Sequence, residues 1–309
     1  MTRDAFVCCA VGNGQYALRA TDVRQIVRVE RMRETTAADG RAGVLDFAGA
    51  TVPVFPLGRA FGHGSARVSG PVGRHIVVTG HDGDLIGWLV DGVERTPVDD
   101  DTVMAPLPSM VGPRATRWFM AIVRRGEQSM LLLAPRGGQS SARPPLHAGV
   151  SAPISADRSP AVLVFGSSAL PPTNVSRFAL SCRRVVGVAQ DLSLTPVPGS
   201  ARHVAGLAWW RNAAMPVVDF RGGAATARGS RQRCLIVRGS ERSGAAYVGL
   251  PVDADVAMHR PSPEDRPAAG VSCPPFASGV FDVAGHSPIA LLDIDTLLAS
   301  ETAPVEEVA

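Results

Sequence analysis

The chain has 309 residues, of which 45% are hydrophobic and 19% charged, with a formal net charge of +3. That balance describes a globular protein, excludes a disordered polyelectrolyte and leaves little electrostatic ground for nucleic-acid binding. All 31 basic residues are arginine, which excludes P-loop, Schiff-base and lysine-base chemistry.

In chain order, short apolar runs alternate with Gly, Pro, Asn and Asp, the signal of an all-β protein. Phe6 to Val11 and Gln15 to Ala20 flank Gly12-Asn13-Gly14, a hairpin turn in which Asn-Gly supplies positive φ. Thr21-Asp22 caps an expected helical turn carrying Val23, Ile26 and Val27. Val44 to Phe47 pairs with Thr51 to Phe55 around Gly49, and His75 to Thr79 with Leu85 to Val90 around Asp82-Gly83. Phe119 to Arg124 and Met130 to Leu133 form a further hairpin around Gly126. Trp88 and Trp118 fall on apolar strands and read as core.

The pattern then repeats. Tyr16-Ala17-Leu18 is answered by Phe178-Ala179-Leu180, and His75-Ile76-Val77-Val78 by Cys234-Leu235-Ile236-Val237. Gly43 to Gly62 is answered by Gly206 to Gly223, with Pro53-Val54 matched by Pro216-Val217. Ile86-Gly87-Trp88-Leu89-Val90-Asp91 is answered by Val248-Gly249-Leu250-Pro251-Val252-Asp253. An offset of roughly 160 residues is far beyond a solenoid period and marks a duplicated domain. The expected division is a first domain over 1–135, a flexible Pro/Gly/Ser/Ala-rich linker over 136–160, a second domain over 161–300 and an acidic tail over 301–309. The early helical turn has its counterpart in Arg184 to Ala189, and a helix is expected from Asp293 to Ala299 with Leu297 and Leu298 inward.

No apolar run reaches the ~18 residues that span a bilayer. Asp4 and the early hairpin argue against a signal peptide, so the expected compartment is the cytosol. The five cysteines have no CxxC spacing, and the seven histidines are scattered, which gives no disulfide framework and no metal site. Asp99-Asp100-Asp101 lacks the spacing of a calcium loop, and no GxSxG elbow or dinucleotide fingerprint occurs. No cofactor is expected, and the reading is of a protein that is not an enzyme.

The binding candidates are clearer. In Ala208-Trp209-Trp210-Arg211 two adjacent tryptophans on one strand turn their rings to opposite faces. One ring fills a core. The other, beside Arg211, either forms a binding surface of the residue types enriched at hot spots or packs beneath a loop of its own domain.

Tyr16-Ala17-Leu18, Asp22-Val23-Arg24-Gln25-Ile26-Val27, the hairpin with Val52-Pro53-Val54, and Val90-Asp91-Gly92-Val93-Glu94 resemble the CheW-like domain of bacterial chemotaxis. The second copy resembles it through Ala208 to Arg211, Val217-Val218-Asp219-Phe220-Arg221 and Leu291 to Leu298. The resemblance implies an all-β fold with minor α content: two small five-stranded SH3-like β-barrels packed side by side in each domain, the domain duplicated in tandem. It also implies a non-enzymatic adaptor, recruited to receptor arrays, that couples chemoreceptor cytoplasmic tips to a CheA-type histidine kinase. It implies no nucleic acid and no direct membrane insertion. The alternative is a divergent regulator of a pilus-linked or other non-motility system that has lost kinase or receptor coupling.

In that family an Arg in an Asn-Leu-Arg-Gly turn helps contact the receptor. Arg211 falls there in the second copy, whereas the first has Ala48 in Asp46-Phe47-Ala48-Gly49. The family's Glu in the early turn is Gln25 in one copy and Gly187 in the other, and only the second copy keeps a closing Asp, Asp293. The expected receptor-contact residues are Arg211, Trp209 and Trp210; the expected kinase or partner contacts are Gln25, Ile26 and Val54. The two copies have diverged differently, which points to a division of labour.

Overall fold

The computed structural model describes residues 5–12, 14–35, 40–61, 74–81, 84–98, 101–134, 161–170, 175–201, 203–219, 232–239, 244–252, 254–260, 262, 266–268, 270–274, 276–282 and 287–299. The expected linker over 136–160, the tail over 301–309, and Asn13, Asp82-Gly83 and Asp99-Asp100 lie outside these residues. The chain divides into two compact units: Met1–Leu107 with Pro113–Pro144 and Val197–Gly199, and Pro108–Gly112 with Pro145–Pro196 and Ser200–Ala309.

The first unit contains β1 (Ala5–Val11), β2 (Gly14–Arg19), β3 (Val23–Arg28), β4 (Arg33–Glu34), β5 (Gly43–Phe47), β6 (Ala50–Pro56), α1 (Leu57–Ala60) and β7 (His75–His81). It continues with β8 (Asp84–Val90), β9 (Gly92–Pro97), β10 (Thr102–Pro106), α2 (Pro113–Trp118), β11 (Phe119–Arg125) and β12 (Gln128–Leu133). Sheet 1 has the order β9-β1-β2-β12-β11-β10, and sheet 2 the order β3-β7-β8-β6-β5-β4.

The second unit contains β13 (Val162–Leu170), β14 (Val175–Ser181), β15 (Val185–Leu192), β16 (Val204–Trp210), β17 (Ala213–Val218) and β18 (Gln232–Arg238). It continues with β19 (Tyr247–Pro251), β20 (Ala254–His259), β21 (Arg266–Pro267), β22 (Ala277–Asp282), β23 (Ile289–Leu292) and α3 (Ile294–Ala299). Sheet 3 runs β20-β13-β14-β23-β22-β21 and sheet 4 runs β15-β18-β19-β17-β16. The protein is mostly β, as the alternating runs predict.

The two units repeat each other strand for strand. Sheets 1 and 3 share one order and one parallel pair, β2 with β12 and β14 with β23. Sheets 2 and 4 share theirs, with β6 parallel to β8 and β17 parallel to β19. Where β4 pairs with β5 through Arg33↔Val44, sheet 4 keeps a single bridge, Thr195↔Leu207. The repeated glycines at this crossing have a steric cause. A Cβ at Gly43 would lie 2.5 Å from the Arg33 carbonyl oxygen, and one at Gly206 2.8 Å from that of Thr195. Only a residue without a side chain lets the crossing backbone approach so closely.

The cores repeat position by position as well. In sheet 2, Val27, Leu45, Val52, Val54, Ile76 and Val78 form one buried cluster. In sheet 4 the matching places hold Ala189, Ala208, Met215, Val217, Cys234 and Ile236. This aligns Ile76 with Cys234, one residue away from the match read in the sequence. A larger core in the second unit joins Phe165, Phe178 and Leu180 of sheet 3 to Leu235, Val237 and Leu250 of sheet 4, with Met110, Ile294 and Leu297. In the first unit an aromatic cluster links Tyr16, Phe61, Phe119, Trp118 and Trp88, with neighbouring ring centroids 4.8 to 5.9 Å apart.

Three expectations are corrected. The segments from Val23 and from Val185, expected as helical turns, are the strands β3 and β15. Val23, Ile26 and Val27 fit a helical face, but they are also β-branched residues beside β7, and the ladder takes up the backbone of Val27. Trp118 ends α2 instead of lying on a strand, and it is half-buried. The C-terminal helix is α3, preceded by Asp293; Leu297 is buried in the core, and the side chain of Leu298 lies outside the described residues.

Candidate partner-contact sites

The hairpin β16–β17 turns at Arg211 and Asn212, whose φ angles are 48° and 62°. Two consecutive left-handed residues define a type I′ turn, whose twist matches that of the paired strands. The hairpin β5–β6 turns in the same way at Ala48 (φ 48°) and Gly49 (φ 82°). The two tips are therefore the same device with different side chains. Arg211 is exposed, and its guanidinium carbon sits 5.7 Å from the centroid of the Trp210 ring, a cation–π contact.

Trp210 and Trp209 are both half-buried and face opposite sides of sheet 4. Trp210 packs on the cluster of Ala208, Met215 and Val217, and its indole Nε1 is buried without a hydrogen-bond partner among the described residues. A Cβ at Gly187 would come within 3.8 Å of its ring. The glycine that replaces the family's Glu in this copy thus leaves space beside Trp210. Arg211, Trp210 and Gly187 form one patch, in which Trp210 is as much a packing residue as a contact residue.

On β3, Gln25 is exposed and Ile26 is 38% exposed. Val54 is different. It is 0% exposed within the sheet 2 cluster, so its side chain cannot meet a partner, and the expectation that it does is corrected. On the pleated β6, Val52 and Val54 share the inward face, which assigns both to packing.

The sequence reading missed two arginines flanking Ile26, Arg24 and Arg28, both exposed. Period two in VRQIVR would have shown Arg28 beside Ile26, whereas Arg24 falls where the ladder shifts register. It also missed the tie between Arg184 and Asp295, which anchors α3 to the turn before β15. Asp293 caps that helix: its Oδ1 accepts from the backbone N–H groups of Asp295 (3.0 Å) and Thr296 (3.2 Å). Its Oδ2 accepts from the Thr296 hydroxyl at 2.8 Å, and this bond above all holds the carboxyl below its ordinary range.

Titration of the interior is set by burial. Burial pushes the Cys9 thiol and the Tyr16 phenol each up to about 12 and the His203 imidazole down to about 4. Cys8 is also raised by burial, against the hydrogen bond from its Sγ to Thr96 Oγ1 at 3.2 Å. These groups are neutral at pH 7 and serve as packing atoms, not as nucleophiles. Among the described residues no group of three or more His, Cys, Asp or Glu could hold a metal ion, and no helix is long and apolar enough to cross a membrane.

The CheW-like domain family matches residues 5–137 and 173–302, one stretch for each copy of the repeat. The chain belongs to the CheW-like domain family. Among solved structures, it is similar to the scaffolding protein TtCheW from Thermoanaerobacter tengcongensis, at 21% identity and a TM-score of 0.37. That similarity covers 43% of this chain and 90% of the other. No curated protein matches. The two matched stretches agree with the repeated sheet orders and with the paired hairpin tips.

Proposed function

We infer that this tandem CheW-like protein is a non-enzymatic chemosensory adaptor, coupling chemoreceptor cytoplasmic tips to a CheA-type histidine kinase within receptor arrays. The observation that carries the reading is the pair of type I′ hairpin tips: one presents Arg211 over Trp210, and the other presents only Ala48 and Gly49. A receptor-binding role at the Arg211 tip and a kinase-binding role at the surface of Gln25 and Ile26 would divide the labour between the units. Trp210 supports the Arg211 tip from beneath, and Trp209 offers its ring on the other face of sheet 4.

The test is co-purification of the full chain with the organism's CheA-like kinase and with receptor cytoplasmic tips. The full chain is needed because Pro108–Gly112 belongs to the second unit. Arg211→Glu is expected to reduce receptor capture at least about tenfold while kinase capture is unchanged. Capture of neither partner by the unaltered chain overturns the adaptor reading. Unchanged receptor capture by Arg211→Glu overturns the site. Kinase capture without receptor capture favours a divergent regulator, a reading to which the missing tip Arg in the first unit lends weight.

A further inference from the structure

The first strand of sheet 2 has an open side. β3 stands at the end of the sheet, paired with β7 alone. The hydrogen bond from Val29 N–H to the Arg74 carbonyl at 3.3 Å fixes the phase of the ladder, because antiparallel pairs alternate between bonded and non-bonded. With Arg28 opposite His75 and Val27 opposite Ile76, it is Val27 that exchanges bonds with β7. Ile26 and Arg28 therefore turn their N–H and C=O groups outward, to the free edge. Such an edge is a template for a further strand.

Side-chain direction adds selectivity. Val27 points into the sheet 2 core, so Ile26 and Arg28 lie on the opposite face. There Ile26 continues the row Val77 (0% exposed) and Trp88 (6% exposed), which leaves it as the exposed rim of a buried apolar row. Arg24 lies across Gly80 of β7, its guanidinium 3.5 Å from the Gly80 carbonyl oxygen. Gly80 shares the core face of Val78 and Leu85, and the ladder shifts register between Val23 and Gln25, so Arg24 lies on the face opposite Ile26 and Arg28 flanks the apolar rim on its own face. Beyond them, Glu30 and Arg31 in the following turn offset each other, and Arg33 is already paired with Asp46 at 2.9 Å.

Among the described edge strands, β3 alone carries two basic residues and no acidic one; its equivalent β15 reads VVGVAQDL and exposes Val188 instead. The geometry points to β3 as a strand-addition site for an extended acidic segment of a partner protein. That segment carries an apolar residue opposite Ile26 and a carboxylate two residues away, opposite Arg28, with Arg24 adding positive charge from the other face of the same edge. Main-chain bonds to Ile26 and Arg28 hold the segment, and the charges choose it. The inference rests on the adaptor reading, in that it says what kind of segment the first unit receives.

The experiment uses the full chain and a fluorescein-labelled peptide, TETVTET, whose two Glu and one Val share a strand face. Fluorescence anisotropy is expected to show binding. Charge reversal of the peptide to TKTVTKT, or Arg24→Glu with Arg28→Glu in the protein, should weaken it at least about tenfold. Both arginines are exposed, and unchanged thermal unfolding of the double variant confirms that it is folded. Backbone N-methylation of alternate peptide residues should abolish binding in one phase and spare it in the other, and the amides of Ile26 and Arg28 should gain hydrogen-exchange protection. No binding up to about 1 mM, a response indifferent to charge, or equal effects of the two methylation phases overturns the inference. So does a dimer of the chain that dissociates on the double substitution while the peptide fails to bind, since the edge then pairs two copies. Peptide binding without kinase or receptor capture leaves this site standing and removes the adaptor reading; the reverse result removes only this site.

Discussion

Sheets 2 and 4 fold the same strand order around cores that share positions but not sizes. Leu45 in the first is Ala208 in the second, Val27 is Ala189 and Ile76 is Cys234. Part of the lost volume returns within the centre, where Val52 is answered by Met215 and Val78 by Ile236, and part at the rim, where Phe47 is answered by Trp210 and Leu85 by Tyr247. Interiors must be filled to near-crystalline density, so a core that shrinks at its centre has to be closed from outside. The two hairpin tips diverged with it. The copy with the large centre keeps a small, bare tip at Ala48, and the copy with the small centre carries a tryptophan at its rim that also seats Arg211.

The comparison breaks first if the centres are not what separates the sheets. Leu45→Ala, at a position 3% exposed, is expected to cost about 3 kcal/mol in denaturant unfolding, although Ala is the native residue at the matching place in sheet 4. A loss below about 1 kcal/mol would mean that sheet 2 is also closed from its rim. Acid should act on the second unit by a comparable amount. The folded pKa of His203, about 4, lies below the ordinary 6.5, so the unfolded chain takes up the proton first. Stability from this group is full above pH 6.5 and falls as the pH drops toward 4, by on the order of 3 kcal/mol. His203→Gln should remove that slope from the pH dependence of the unfolding midpoint.

A double-mutant cycle sharpens the claim of compensation. Ala208→Leu should overpack sheet 4 by about 2 kcal/mol, and Trp210→Phe should cost about 1 kcal/mol. Combined, they should be less costly than their sum by about 1 kcal/mol, since the smaller rim ring leaves room for the larger central side chain. Additive costs would mean that centre and rim are independent. Next in size is the cap of α3: Asp293→Ala should lower stability by about 1 kcal/mol, read as earlier thermal unfolding. Smallest is a gain. Ala48→Gly relieves a left-handed non-glycine residue and should stabilise the first unit by about 0.5 kcal/mol; a loss there would show that the tip is held by contacts and not by its turn.

The hairpins and the duplication could be read from sequence because both rest on local chemistry, alternation broken by Gly and Asn at turns. Arg211 was found through its tryptophan neighbours and through the resemblance to the family's turn, both properties of a few adjacent residues. β3 and β15 were not, because six residues containing Val23, Ile26 and Val27 satisfy a helical spacing and a strand equally well, and the arbiter is the neighbouring β7. Val54 was misplaced for a related reason. Which face of β6 is inward depends on what covers the sheet, and no residue of the hairpin states it. The role of Trp210 as rim filler became visible only once Ala208 was seen to occupy the place of Leu45.

The parallel pairs in sheets 1 and 3 bear on how the chain is made. β12 lies between β11 and β2, and β23 lies between β22 and β14, so the last strand of each unit sits in the middle of its sheet. During vectorial synthesis neither sheet can close until that strand has left the ribosome, and until then β2 and β14 each present an unpaired edge in the middle of the sheet to come. A stop codon just before Ile289 would therefore remove four residues of β23 and split a six-stranded sheet in two, leaving a nascent product exposed to proteases and to its neighbours on the polysome.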